Sequence, residues 1–130
     1  MKKILALLFC FYIFNGQAQK QADYEKVLGK FMMYYNAVQA DSICEQFSDT
    51  WGKQKKTLWK NEEIKDLHKE FGEMRSYKFM AVEPGGAMLF KGEFTKSKHC
   101  IGMVIDKKNK LKTFRFKTTS DFIDSLLLVH

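Results

Sequence analysis

The stretch Ile64-Lys-Asp-Leu-His-Lys-Glu-Phe-Gly-Glu-Met-Arg-Ser-Tyr-Lys-Phe-Met-Ala-Val82 changes its hydrophobic period in the middle. Ile64, Leu67 and Phe71 are three and four residues apart, which is the spacing of one helix face. Gly72 stands where a glycine commonly ends a helix. Beyond it Tyr77, Phe79 and Ala81 alternate with Lys78, Met80 and Val82, the two-residue period of a half-buried strand. Upstream of this point the apolar patterns are helical, and downstream they alternate. Helices first and strands second predict an α+β domain. Its N-terminal helices should lie on one face of a curved antiparallel sheet of about four strands.

Upstream, Tyr24, Val27, Leu28, Phe31, Tyr35 and Val38 predict an amphipathic helix over 23–39, with Lys26, Lys30 and Gln39 off its apolar face. Ser42 with Glu45 has the form of a capping box for a second, short helix whose apolar side is Ile43, Cys44 and Phe47. Residues 51–60 read as a basic loop bracketed by Trp51 and Trp59. Asn61 is the expected N-cap of the third helix, with Glu62 and Glu63 in its first turn.

Downstream, Pro84-Gly85-Gly86 is a turn. Residues 87–95 form a strand with Phe90, Gly92 and Phe94 on one side. Residues 99–105 set Ile101, Met103 and Ile105 against Cys100, Gly102 and Val104. Asp106-Lys107-Lys108-Asn109 is a hairpin turn into a last strand, 110–117, with Phe114 and Phe116 on one face. Gly92 and Gly102 inside strands are the expected places for a bulge or bend.

The chain has 130 residues and a formal net charge of +7. Lys2-Lys3, the apolar run Ile4 to Phe14 and the small residues at Gly16 and Ala18 read as a secretory signal over 1–18. The run is shorter than the roughly 20 residues that span a bilayer, so no membrane span is expected. Cleavage near Ala18 places the product in the periplasm or outside the cell. One domain then occupies 19–117, followed by an apolar tail at 118–130. The tail holds Phe122, Ile123, Leu126, Leu127, Leu128 and Val129, which pack on the domain's own core or offer a surface to a partner.

Losing Lys2 and Lys3 lowers the charge by two and leaves the chain basic. The charge suits an acidic partner such as a lipid head group or an anionic glycan, or is solvated lysine alone. Export makes nucleic acid an unexpected partner. Cys10 leaves with the signal, so Cys44 and Cys100 are a candidate disulfide or two buried thiols. A bond between them would stabilise the fold by about 4 kcal/mol in the chain-entropy model.

The inventory for chemistry is thin. His68, His99 and His130 are the histidines, and neighbouring strand residues His99 and Cys100 face opposite ways. No metal site and no cofactor are expected. Glu62, Glu63, Asp66 and Glu70 interleave with Lys65 and Lys69, as on a solvated helix face with i,i+4 ion pairs. There is no nucleophile elbow, phosphate loop or dinucleotide fingerprint. Trp51 and Trp59 are candidate residues for stacking on a sugar or base or, with the lysines between them, for binding an anionic polymer, or are core anchors beneath the loop.

The run Phe31-Met-Met-Tyr-Tyr-Asn36, then Asp41-Ser42-Ile43, then Phe47-Ser48-Asp49, resembles the start of the nuclear-transport-factor-2-like superfamily. More narrowly it is similar to a bacterial domain of unknown function, number 3887, whose last hairpin carries a phrase like Asp106-Lys-Lys-Asn-Lys-Leu-Lys-Thr-Phe-Arg-Phe116. The resemblance covers about 23–117. It implies a cone-shaped α+β fold whose helices and concave sheet enclose a cavity. The superfamily holds isomerases, dehydratases, transport adaptors and non-catalytic modules. The catalytic sets of its enzymes have no clear match here. The expected function is a small exported non-catalytic binding or accessory module for an unknown small ligand or protein. The alternatives are a cavity enzyme using Tyr77, His99 or Arg115, and a homodimeric interaction protein.

Overall fold

The computed structural model describes residues 20–57 and 59–117. The expected signal and the apolar tail at 118–130 lie outside the described residues. Helix α1 covers 20–36, and α2 covers Ala40–Glu45. A 3-10 segment follows at Asp49–Thr57, then α3 at Asn61–Phe71. Strands β1 (Met74–Val82), β2 (Met88–Phe94), β3 (Lys98–Ile105) and β4 (Leu111–Lys117) form one antiparallel sheet in the order β1-β2-β3-β4. Helices therefore precede strands, as the change of period predicts.

The core is one cluster between the helices and one face of the sheet. Leu28, Phe31 and Tyr35 of α1, Ile43 of α2 and Ile64 of α3 are fully buried against Phe90, Ile101 and Met103. The helical spacing of these residues makes the burial possible, because it puts them on one face of each helix.

Three local details differ from the sequence reading. Helix α1 stops at residue 36, not 39. Val38 adopts φ 55°, its N–H bonds the Tyr35 carbonyl at 3.1 Å, and the Gln39 N–H bonds the Tyr34 carbonyl at 2.9 Å. This is a Schellman cap with valine in the place that glycine usually takes, so no sequence signal announces it. Next, Asn61 does not cap α3. It is the helix's first residue, and its Oδ1 accepts the N–H of Ala40 at 3.0 Å, so it caps α2 from a distance. Ser42 lies inside α2 and supplies no cap.

The third difference concerns bulges. Register shifts fall between Met74 and Ser76, Phe79 and Ala81, and Val104 and Ile105, while the β2–β3 ladder holding Gly92 and Gly102 is unbroken. Gly92 is required by packing instead. A Cβ there would stand 3.0 Å from Ile101 Cδ1 and 3.1 Å from Phe94 Cε2.

One junction ties α1, α3 and β1 together. The Asn36 side chain donates to the Met74 carbonyl and accepts from the Met74 N–H, both at 2.9 Å. The Tyr35 hydroxyl donates to the Gly72 carbonyl at 2.9 Å. His68 Nε2 lies 2.6 Å from the Tyr35 carbonyl, and only a protonated nitrogen can bond that acceptor. Gly72 turns the chain at φ 83° and ψ −165°, a region essentially confined to glycine. A Cβ at Gly72 would also overlap Thr95 Oγ1.

Cys44 and Cys100 are free thiols, both buried. Cys44 Sγ approaches the Trp59 carbonyl at 3.6 Å on the helix side. His99 points inward among Phe71, Phe94 and Phe116, so Cys100 beside it faces the other side of the sheet. The sheet lies between the two sulfurs, and the candidate disulfide is not formed.

Two outcomes are expected. Asn36→Ala should destabilise by about 1–3 kcal/mol in urea denaturation, because it strands both Met74 groups; Gly72→Ala should cost about 2 kcal/mol or more. Thiol titration of residues 19–130, denatured without reductant, should find both cysteines reactive, and reductant should leave the melting temperature unchanged.

Candidate functional site

Helix α3 carries its polar and apolar residues in separate stripes. Ile64 is buried, and Leu67 and Phe71 are half-buried. Glu63, Asp66 and Glu70 follow the same three- and four-residue spacing one step round the helix. With Trp59 and Leu67 they line an open cleft of about 440 Å³. Among the described residues these three carboxylates make no ion pair within 4 Å, so the expected pairing with Lys65 and Lys69 does not occur. Their charge faces the cleft and solvent.

Behind the cleft lies a continuous group of rings. Phe31 meets Phe114 at a centroid distance of 4.4 Å, and Trp59 meets Phe114 and Phe116 edge-on at 6.2 and 6.4 Å. Phe71 meets Phe116 at 5.6 Å and His99 at 3.8 Å. Phe31 and Phe94 are buried, whereas Trp59, Phe71, His99, Phe114 and Phe116 are only partly so. Of these rings Trp59 lines the cleft, and there it meets the three carboxylates. Edge-to-face geometry dominates, as the ring quadrupole favours.

The polar groups near these rings are engaged in holding the fold. His99 Nε2 is 2.8 Å from Ser97 Oγ. Burial holds its imidazole below the ordinary 6.5, with Glu70 pulling the other way. Burial pushes the Tyr35 phenol up to about 12, which keeps it a neutral donor to Gly72. Its ring stacks on His68 at 4.4 Å. Among the described residues no group of three or more His, Cys, Asp or Glu could hold a metal ion.

Of the residues singled out in the sequence, His99 and Trp59 come together, each about one ring from Phe116. Tyr77 is elsewhere: its hydroxyl donates to the Glu25 carbonyl at 3.2 Å, over Gly29. Arg115 pairs with Gly102 on the other face of the sheet and is exposed, while Phe114 and Phe116 point inward. Trp51 packs edge-on against Phe47 at 5.8 Å, away from Trp59's group. A convergent set of Tyr77, His99 and Arg115 is therefore not assembled. The contributions of Phe71, Leu67, Glu63, Asp66 and Glu70 were not foreseen. Their helical spacing is visible in the sequence, and so is the strand at 110–117, but that the two pack side by side is not. No helix among the described residues is long and apolar enough to cross a membrane.

His99 gives the site a pH signature. Its folded value is lowered, so below pH 6.5 the unfolded chain binds a proton that the folded chain refuses. The stability contribution is whole above 6.5 and is lost as the pH falls from there toward the lowered folded value. His99→Phe should flatten the denaturation free energy across that window, and an NMR titration should show His99 less protonated than a free imidazole at pH 6.5.

No family model, curated protein or solved structure significantly matches this chain.

Proposed function

We propose that this chain is a small exported, non-catalytic binding module of the nuclear-transport-factor-2-like type, whose ligand lies against the Trp59–Phe116 rings. The observation that carries the reading is the partly exposed Trp59, backed by Phe114 and Phe116, in one cleft with Glu63, Asp66 and Glu70. Rings that meet carboxylates suit an apolar ligand bearing a positive charge, since a cation is attracted to the ring faces and to the acids together. The cleft's volume of about 440 Å³ lies within the range of small-molecule pockets. Binding is favoured over catalysis because His99, Tyr35 and Tyr77 each bond groups of the fold. The export step rests on the Lys2-Lys3, Ile4–Phe14 and Ala18 pattern.

The test uses tryptophan fluorescence with benzyltrimethylammonium, benzyl alcohol and benzoate as probes. The cation should saturate, and Trp59→Ala should weaken it about tenfold. Glu63→Gln with Glu70→Gln should weaken the cation and leave benzyl alcohol unaffected. Equal binding of benzoate would remove the acidic edge from the reading. N-terminal sequencing of the exported protein should begin at Gln19.

A further inference from the structure

The sheet has a second buried patch, on the face turned away from the helices. Directly paired residues of an antiparallel ladder share a face. Leu89 pairs with Ala81 and Gly102, and Gly102 pairs with Arg115, so these lie opposite the face that Phe90, Ile101 and Phe116 turn to the core. Cys100, two residues before Gly102, joins them. The described helices bury their apolar stripes in the core cluster on the other face. Ala87, Leu89 and Cys100 are buried yet do not belong to that cluster.

The burial of Leu89 needs a cover. Its cross-strand neighbours are Ala81, which has one methyl, and Gly102, which has no side chain. A leucine so flanked on a bare sheet face stands above its surroundings and meets solvent. Leu89 is instead 1% exposed, Cys100 is 9% exposed and Gly102 is buried. Burial also pushes the Cys100 thiol up. Lys91, two residues along β2, is half-buried and shields one side only, while Lys78 and Arg115 at the rim are exposed.

The chain beyond β4 is placed to supply the cover. Lys117, the last residue of β4, pairs through its backbone with Cys100, so the chain leaves the sheet in the row that Cys100 occupies. Leu89 lies two strands from β4, roughly 10 Å away. Thirteen residues follow, 118–130. Even wholly helical they would span roughly 20 Å. Phe122, Ile123, Leu126 and Leu127 have the three- and four-residue spacing of one apolar stripe, with Asp121 and Asp124 beside it. Those acids suit a basic rim. Lys78 stands directly opposite Lys91, Arg115 stands beside Gly102, and Glu93 on the same face is 3.9 Å from Lys98. Residues 1–18 leave the chain when the signal is cleaved, as the proposed export requires. We propose that residues 118–130 lie across the outer face of the sheet, with Phe122, Ile123, Leu126 and Leu127 covering Leu89 and Cys100. The segment then straps the domain's own second face and is not a surface held out to a partner. The inference does not depend on the ligand proposed for the Trp59 cleft.

The experiment is NMR on methyl-labelled protein, residues 19–130. The Leu89 methyls should show NOEs to Phe122, Ile123, Leu126 or Leu127, and a mixture of labelled and unlabelled chains should show none between chains. Alkylation of the native protein, read by mass spectrometry at each cysteine, gives a second measure. Ile123→Asp with Leu127→Asp should speed the reaction of Cys100 about tenfold or more, by opening the outer face alone. Cys44, on the helix side, should stay as slow as before, which separates loss of the cover from unfolding. The NOEs need no variant and decide the matter if the substitutions unfold the chain. Absence of those NOEs would overturn the proposal. So would NOEs that run between chains, or a Cys100 as slow in the double variant as in the unsubstituted protein.

Discussion

The fold depends on the pair of hydrogen bonds between Asn36 and the backbone of Met74. A side-chain amide there presents one donor and one acceptor, as a neighbouring strand would. The end of α1 is thereby fixed to the start of β1, more than thirty residues away in sequence. Tyr35 adds its hydroxyl to Gly72 and offers its carbonyl to His68, so α3 is held at the same point. Polar groups inside a low-dielectric junction specify geometry strongly because leaving any of them unpaired is expensive. The junction fixes where the apolar stripes of α1 and α3 meet the sheet, and with that the position of every ring behind the cleft.

Charge is distributed by the same arrangement. Glu63, Asp66 and Glu70 lie on α3, beside the aromatic group. Lys26, Lys30, Lys108 and Lys110 lie near the other end of β4, around a cleft of about 390 Å³. The net charge of +7 conceals this separation, because it sums surfaces of opposite sign. An acid-edged cleft walled by Trp59 and a lysine-lined cleft thus present opposite charge to solvent.

Much of the fold was legible because hydrophobic period reports directly on which face of an element is buried. The helix stripe from Tyr24 to Tyr35, the break at Gly72 and the alternation through Phe116 all reappear. Where the reading failed, a distant residue replaced a local signal. Val38 ends α1 in a left-handed conformation without glycine, held by its cap and by the core it packs against. Asn61 sits at the position of a cap for its own helix and caps α2 instead. Gly92 was legible as special but for the wrong reason, since its need is set by Ile101 across the ladder and not by a bulge.

The candidate sites divide along the same line. Sequence by itself determined the order of elements and the apolar face of each, because these follow from spacing along one chain. It also marked His99 and Trp59 as worth attention. Only the tertiary structure decided that these two share one group of rings, that Tyr77 and Arg115 stand apart from it, and that the cysteines lie on opposite sides of the sheet. It alone placed Gln46 beside four lysines from two separate elements. Period tells which way a side chain points, but which residue it meets depends on how distant segments pack, and no local pattern carries that information.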